Sequence, residues 1–330
     1  LLIMSFFAVS SLLLFVTRLS DSQEKVSYNL FGRETFILYN NSILVLSCFM
    51  VLFGTMYPLI LETLMGHKIT VGPQYFNTVF TPITILIALI LPIGQNTNWH
   101  GSLNPDLLKR LFISILITIS ILIIIQITLL GTTINLSIFI IGLGVLIVCS
   151  SIMDLFDITV DHKYGFFDAI TNNIKNIKIR SLGSRLAHCG LGFLIIGVVY
   201  TSTFQLQKEL LIDVGDEVRL DEFILKYKKI STSIGENYDD LILDFELFND
   251  KKKIGDIRPA KRFFRNSGNI TTESGIHRHY FDHIFINVGE VNEKNILVSV
   301  SHKPLIRLIW LGGFMMVFGA FFSVCYRYRN

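Results

Sequence analysis

The chain has few charged residues for its length. Asp, Glu, Lys and Arg make up 17% of its 330 residues, whereas a soluble domain carries roughly a quarter. Hydrophobic residues make up 51%, and the mean hydropathy is +0.54. A formal net charge of +3 is too small to indicate a nucleic-acid-binding protein. The composition therefore predicts a membrane protein with lipid, and no nucleic acid, among its partners.

Cysteine pairs and enzyme motifs are missing as well. There is no P-loop, no GxGxxG after a strand, no GxSxG and no HExxH, so no enzyme class follows from motifs. The apolar start, Leu1–Val16, has no Met, basic leader or A-x-A site, which favours a truncated, processed or split chain over a signal peptide. Four cysteines stand singly in apolar stretches and indicate neither disulfides nor zinc ligands: Cys48, Cys149, Cys189 and Cys325.

Long apolar stretches predict about seven transmembrane helices, because a spanning helix needs about 20 mostly apolar residues. The third stretch is short and contains Pro82 and Pro92, which allows a kinked or partly re-entrant helix. The glycines of "GLGV" and "GLGFLIIG" are typical of close helix packing. The predicted spans are Leu1–Val16, Phe36–Leu61, Thr78–Ile93, Leu107–Leu130, Leu136–Met153, Leu186–Phe204 and Leu305–Cys325.

Residues 205–303 have a different pattern from the rest of the chain. Short stretches with partial alternation, such as "DDLILDFELF", are separated by Gly, Asn and Asp, which predicts β-strands. We therefore expect three parts: a six-helix transmembrane domain over 1–204, a β-domain over 205–303, and a final helix with a basic tail over 304–330. The predicted fold class is a helical membrane protein with a small external β-rich domain between the last two helices.

Basic residues predict the orientation of these helices. With seven spans, four groups of Lys and Arg fall on one side, which should be the matrix or cytoplasmic side. The β-domain then lies outside, in the intermembrane space or periplasm. The groups are Lys25 and Arg33; Lys109 and Arg110; Lys163, Lys175, Lys178, Arg180 and Arg185; and Arg327 and Arg329.

His188 lies in the apolar stretch "LAHCGLGFLIIGVV", about one turn inside the hydrocarbon. A buried imidazole is unfavourable there unless it is hydrogen-bonded or coordinated, so it is a candidate functional residue. One interpretation is a histidine bonded to a neighbouring helix, which is the commoner case for this residue type. The other is an axial ligand of haem iron, with Gly190 and Gly192 admitting a flat macrocycle and Arg185 meeting a propionate.

The other histidines are weaker candidates for a functional site than His188. The stretch "HRHYFDH" contains His277, His279 and His283, which could share one face of a strand, but no carboxylate or cysteine completes a metal site there, and a solvated surface is favoured. The remaining four are expected in loops or at interfaces, where histidine needs no special explanation: His67, His100, His162 and His302.

Several longer stretches together resemble the carboxy-terminal half of the CcmF family, over the whole chain. The β-domain contributes "LLIDVGDEVRLDEFIL", "RPAKRFF", "TTESGI" and "NVGE" in the family's order. The helical stretches are "FGRETFILYNN", "LFGTMYPLILETLMGHKITVGPQYFNTVFTP", "GSRLAHCGLGFLIIGVVYTS" and "KPLIRLIWLGGFMMVFGAFFSV".

The resemblance implies a function. CcmF is the haem lyase of System I cytochrome c maturation; it receives haem from the chaperone CcmE, works beside a thiol-handling CcmH-type protein, and promotes thioether bonding to apocytochrome c. The family holds a haem b between transmembrane histidines, and His188 matches one of them.

Tyr75 and Asn77, in "VGPQYFN", are candidates for the wall of the external cavity where haem and apocytochrome meet. The equal alternative is an aromatic belt at the membrane surface, with Asn77 as the N-cap of the third helix.

The chain also departs from the family. The tryptophan-rich WWD segment that holds the incoming substrate haem is missing, since only Trp99 and Trp310 occur. The second haem b ligand and the external histidines also precede what this chain contains. The resemblance thus implies a split CcmF whose amino-terminal half is a partner, so enzyme activity of this chain alone is uncertain.

Two functions and one location follow as expectations. The leading one is a subunit of the haem lyase that completes a haem b site and adds an external docking domain. The alternative is a CcmF-derived structural subunit of a larger inner-membrane assembly without lyase activity. A transporter is disfavoured, because charges within the predicted spans are nearly absent. The resemblance to a split CcmF, as some mitochondrial genomes encode, implies a multi-pass protein of the mitochondrial inner membrane over a bacterial plasma membrane. Heavy use of Phe, Ile, Asn and Lys, which is typical of an AT-rich genome such as an organelle's, favours the same location.

Overall fold

The computed structural model describes residues 2–18, 29–66, 69–97, 105–128, 136–155, 179–249, 252–291 and 295–329. Its helices are α1 (Leu2–Arg18), α2 (Arg33–Met65), α3 (Pro73–Gly94), α4 (Pro105–Thr128), α5 (Leu136–Leu155), α6 (Ile179–Phe204) and α7 (Arg307–Arg329). Some residues used in the predictions above lie outside the described ranges: Lys25, His67, Trp99, His100, His162, Lys163, Lys175 and Lys178.

Six of these helices, α2 to α7, are long and apolar enough to cross a membrane. Helix α1 is a shorter apolar helix, whose apolar part covers Ser5–Thr17 within the described residues. The predicted fold class, a helical membrane protein with a β-rich domain between its last two helices, is confirmed. The count of about seven spans corresponds to six full-length helices and this shorter one.

Helix α3 differs from its prediction in two ways. It is continuous from Pro73 to Gly94, with Pro82 and Pro92 inside it, so the re-entrant alternative is wrong. It also begins five residues earlier than expected, because Gly72 has extended backbone and occupies the N-cap position. Proline suits the first turn of a helix, where its missing N–H would have no helical partner. Asn77 therefore lies within the helix and is not its N-cap.

Three helices form the centre of the bundle. Ala88 of α3, Ile147 of α5 and Ile195 of α6 are buried against one another. Helix α7 packs along α6, α4 packs along α5, and α2 packs along α3. Large apolar side chains elsewhere on the helices are mostly exposed. Such an apolar outer surface is expected where lipid, and not water, surrounds the bundle.

The β-domain consists of two antiparallel sheets. One sheet has the order β1-β10-β9-β8, and the other has the order β2-β3-β4-β6-β7, with β5 paired to β4. The strands are β1 (Leu206–Ile212), β2 (Glu217–Leu220), β3 (Phe223–Ile234), β4 (Tyr238–Asn249), β5 (Lys252–Ile257), β6 (Ala260–Phe264), β7 (Ile270–Glu273), β8 (Gly275–His279), β9 (Asp282–Val291) and β10 (Ile296–Lys303).

The two sheets enclose one apolar core. Alternate residues of facing strands are fully buried, among them Phe223, Leu225 and Tyr227 of β3 and Ile284 and Ile286 of β9. This alternation is the period of two that the sequence shows, because successive side chains of a strand point to opposite faces. The β-rich prediction for this part of the chain is thus confirmed as a sandwich with its own core.

The sandwich is joined closely to the helices at both ends. Strand β1 begins two residues after α6 ends, and α7 begins shortly after β10. The hydroxyl of Thr201 donates to the carbonyl oxygen of Pro304 at 2.7 Å. The backbone N–H of Leu305, which has a φ of 54°, donates to the Asp282 carboxylate at 2.9 Å. These contacts hold α6, α7 and the base of the sandwich in one arrangement.

Candidate functional site

The candidate site centres on His188, which lies in the first half of α6 and is half-buried. Its Nδ1 lies 2.9 Å from Oε1 of Gln95, the residue that directly follows α3. The sequence separation of this pair is 93 residues. The imidazole is therefore hydrogen-bonded to a neighbouring helix end, as the first interpretation of this residue requires.

Two serines of α5 extend this contact into a polar network. Gln95 donates its amide hydrogen to the hydroxyl of Ser150, and the hydroxyl of Ser151 donates to Gln95 Oε1 at 3.2 Å. Asn96 also donates to Ser150, at 3.1 Å. The ends of α3 and α5 and the start of α6 thus meet in one network. Buried polar groups within a bundle are stable when they satisfy one another in this way.

The network determines which nitrogen of His188 carries the hydrogen. Oε1 of Gln95 can only accept, so the hydrogen of the 2.9 Å contact lies on Nδ1 of His188. In this tautomer Nε2 carries the lone pair, which is the form of imidazole that binds metal. Histidines that ligate metal usually donate their other ring N–H to a protein oxygen. The protonation of His188 therefore suits an axial ligand of haem iron as well as it suits a structural histidine.

The glycines near His188 serve helix packing and not a macrocycle. A Cβ on Gly190 would lie 2.6 Å from the carbonyl oxygen of Gly312 in α7. A Cβ on Gly192 would lie 2.8 Å from the carbonyl oxygen of Gly144 in α5. Both positions are thus covered by neighbouring helices. The prediction of close helix packing is confirmed, and the suggestion that these glycines admit a haem is wrong.

Arg185 lies about one turn before His188 on α6 and is half-buried. Residues three apart share a helix face, so Arg185 and His188 lie on the same side of α6. Its role toward a haem propionate stays a prediction.

Tyr75 and Asn77 lie together on the first turns of α3, at the opposite end of that helix from Gln95. The Tyr75 ring packs on Gly54 of α2, and its hydroxyl donates to the carbonyl oxygen of Met50 at 3.3 Å. Tyr75 also borders a cleft of about 390 Å³ between the start of α3 and α2. The side chain of Asn77 is exposed. The structure therefore gives Tyr75 a packing role and leaves Asn77 accessible.

The histidines of "HRHYFDH" do not converge. Tyr280 has a φ of 44° and turns the chain, so His277 and His279 lie on β8 whereas His283 lies on β9. In the ladder His283 pairs with Arg278, which places it on the opposite face of the sheet from His277 and His279. No group of metal-binding side chains occurs among the described residues. The expected solvated surface is also only partly right, because His283 is buried.

His302 was expected in a loop or at an interface, but it lies in β10 and is buried. Its Nε2 lies 3.2 Å from the carboxylate of Asp282. Asp282 thus bonds both His302 and the backbone before α7. This pair stabilises the junction between the sandwich and the last helix.

The sequence pattern did not mark Gln95, Ser150 and Ser151 as site residues. Each stands where an apolar stretch ends, in "IGQN" and "CSS", a position that ordinarily indicates only the membrane boundary. The available signal was that α3 and α5 should end on the side of the membrane where α6 begins. Polar residues at those ends then lie level with His188.

These elements define a class of protein: a multi-pass helical membrane protein with a β-sandwich between its last two helices and a histidine-centred polar network in its bundle. Residues 203–304, which contain the sandwich, match the family model described as "CcmF C-terminal beta-sandwich". The chain belongs to the CcmF family of cytochrome c-type biogenesis proteins.

Curated relatives match along almost the whole chain. It is 29% identical over 325 residues to the cytochrome c-type biogenesis protein CycK of Bradyrhizobium diazoefficiens, covering 98% of this chain and 49% of that protein. It is 30% identical over 321 residues to CcmF of Pseudomonas aeruginosa, covering 97% and 48%. CcmF of Escherichia coli is 26% identical over 311 residues, covering 94% and 46%.

One solved structure, described as cytochrome c heme lyase CcmF, has the same fold. It superposes with a TM-score of 0.67 at 17% identity, over 89% of this chain and 46% of that one. The chain spans about half the length of the curated relatives it matches.

Proposed function

We propose that this chain is a subunit of a cytochrome c haem lyase. The observation that carries the proposal is the contact between His188 and Gln95 inside the bundle of a CcmF-type chain. His188 would be one axial ligand of a haem b, held by its Nε2, and the β-sandwich would be a docking domain. The names of the relatives support a role in cytochrome c maturation, and the ligand and the docking role are our proposals.

The chain's own residues would position the ligand. Gln95 holds Nδ1 of His188, and Ser150 and Ser151 in turn hold Gln95, so the ring has a fixed orientation and tautomer. A bound haem would supply one-electron chemistry, and the thioether reaction of the family requires reduced iron and reduced thiols. A fixed imidazole is suited to this, because axial ligation sets the redox potential of haem iron.

The site would be completed by a second polypeptide. His188 is the only histidine in the described helices, so the other axial ligand would come from elsewhere. The chain spans about half of its relatives, and we propose that an amino-terminal CcmF half carries the WWD segment and that ligand. CcmE, a CcmH-type protein and apocytochrome c would be the further partners, with substrate haem bound only transiently.

A second function is favoured by the same contact. Because Gln95 already satisfies Nδ1 of His188, the network explains a half-buried histidine without any metal. A structural subunit of a larger inner-membrane assembly would need only this hydrogen-bonded network, without a haem. For both functions we propose a location in a mitochondrial inner membrane, from the resemblance to a split CcmF and from composition; the relatives named above are bacterial.

Haem content distinguishes these two functions. The intact complex that contains this chain is purified and its reduced-minus-oxidised spectrum is recorded, with pyridine haemochromogen analysis to identify the haem. We expect a b-type spectrum. A complex that contains this chain and its partners but no haem b would favour the structural subunit.

The proposed orientation predicts where proteases cut. The sandwich should be external, so trypsin added to right-side-out vesicles should cleave at exposed residues such as Arg258 or Arg265. Inside-out vesicles should protect the sandwich and expose the tail at Arg327 and Arg329, which serves as the internal control. Cleavage of the sandwich from the matrix or cytoplasmic face would contradict this topology.

We propose that Tyr75 and Asn77 face the external cavity where haem and apocytochrome meet. Asn77→Ala should lower the yield of mature cytochrome c while the subunit accumulates normally, since this side chain is exposed. Tyr75→Ala should also reduce accumulation, because the ring packs on α2, whereas Tyr75→Phe removes only one hydrogen bond, a cost of about 1 kcal/mol. The yield is measured by haem staining beside an immunoblot of the subunit. Normal maturation with Asn77→Ala and Tyr75→Ala would refute the cavity role.

A further inference from the structure

A cleft of about 650 Å³ lies where the sandwich meets the last helix. Strands β8 and β9 form one side, and the first turns of α7 form the other. The residues that line the cleft include Arg278, His283, Phe285, Arg307, Trp310 and Phe314. They include basic side chains from two separate elements and three aromatic rings.

One end of the cleft is basic. Arg278 of β8 and Arg307 of α7 both line it, and among the described residues neither has a carboxylate oxygen within 4.0 Å. The nearby carboxylate of Asp282 is engaged by His302 and by the backbone of Leu305. Two guanidinium groups thus share one cleft without an anionic partner in the described part of the protein.

His283 positions one of these arginines. Arg307 donates from Nε to Nε2 of His283 at 3.4 Å, and His283 is only 9% exposed. Burial lowers the pKa of His283, and the charges of Arg307 and Arg278 lower it further, against the opposing effect of Asp282. The imidazole therefore stays neutral and accepts the hydrogen bond. This hydrogen bond uses Nε of Arg307, so the two terminal nitrogens of the guanidinium group can bind another group.

The other end of the cleft is apolar and faces outward. Trp310 and Phe314 follow Arg307 along one face of α7 and are 64% and 59% exposed. This face belongs to a candidate membrane span that begins at Arg307. Tryptophan at the end of a span is typical of the lipid headgroup region. The cleft is thus basic on the side of the sandwich and apolar on the side of the membrane.

We propose that this cleft binds the headgroup of an anionic membrane phospholipid. The phosphate is held by Arg278 and Arg307, whose planar guanidinium groups match phosphate oxygens, and the acyl chains run along Trp310 and Phe314. A membrane lipid fits better than haem, because the accessible aromatic rings lie on the lipid-facing helix and Nε2 of His283 is already bonded to Arg307. The inference depends on the membrane location and not on the haem proposal.

Lipid retention by the intact complex tests this inference. The delipidated complex is titrated with phosphatidylglycerol or phosphatidylcholine, and bound lipid is counted by native mass spectrometry. The Arg278→Gln/Arg307→Gln variant should lower phosphatidylglycerol affinity about tenfold or more, because it removes two charge-assisted phosphate contacts. Arg278→Gln alone, outside the membrane span, should give part of this loss with normal assembly.

A matched control removes the same charge elsewhere. Arg219→Gln/Lys252→Gln changes two exposed basic residues of the other sheet and should leave phosphatidylglycerol binding unchanged. An equal loss in this control would overturn the inference, since it would indicate only general charge attraction. Equal affinity for phosphatidylcholine, displacement of the lipid by added haem, or displacement by inorganic phosphate alone would overturn it as well.

Discussion

Replacing His188 with alanine is expected to remove the b-type absorbance of the intact complex and the maturation of c-type cytochromes together. No other histidine lies in the described helices, so none of them offers a second imidazole to replace the lost ligand. The fold should survive. Gln95 keeps its contacts with Ser150 and Ser151, and loss of the hydrogen bond between His188 and Gln95 costs about 1 kcal/mol.

Two further variants separate ligation from structure. His188→Met should retain haem with a raised reduction potential, because thioether ligation favours ferrous iron. Gln95→Leu removes the group that orients the ring, and loss of such a supporting contact typically lowers metal affinity or activity about 10- to 100-fold. Cys189→Ala, next to His188 but buried, is the control and should leave the spectrum unchanged.

The measurements are the redox-difference spectrum, a potentiometric titration and haem staining of mature cytochromes. If His188→Ala leaves both the spectrum and the maturation unchanged, His188 is not a ligand. The structural-subunit function would then become the better explanation of the network.

Replacing Gly312 with leucine is expected to separate α6 from α7. A Cβ at this position would lie 2.5 Å from the carbonyl oxygen of Gly190 and 2.7 Å from the backbone nitrogen of Leu194. Both neighbours are backbone atoms, so neither moves without shifting a whole helix. Overpacking of this kind typically costs about 1–3 kcal/mol and occasionally more. The expected result is poor accumulation or a clearly lowered Tm in detergent.

The adjacent glycine is a matched control. A Cβ on Gly313 would meet no atom within 4 Å, so Gly313→Leu should leave accumulation and Tm close to those of the unmodified protein. The two variants have the same composition and nearly the same position in the membrane. They differ in whether the side chain enters the interface with α6. Equal stability of the two variants would show that α6 and α7 do not pack as described.

Local patterns in the sequence were sufficient to predict the helices and strands themselves. Apolar stretches predicted the helices α2 to α7, and alternation predicted the strands between α6 and α7. Both patterns are set by the solvent or core that each side chain meets, so they can be recognised without knowing the partner element. The ends of the helices did not follow from hydropathy. Helix α2 continues beyond its apolar stretch to Arg33 and Met65, because its ends are determined by turns and not by hydropathy.

Contacts between elements depended on the tertiary structure. The sequence marked His188 as unusual, but its partner Gln95 is 93 residues away and looks like an ordinary boundary residue. In the same way, the sequence marked Gly190 and Gly192 as sites of close approach, and only packing decided that helices, and not a flat cofactor, approach them. A turn at Tyr280 likewise separated histidines that are close in sequence. Each of these outcomes depends on how separate helices and strands are placed side by side. Hydropathy and periodicity describe each element alone, and they carry no information about that placement.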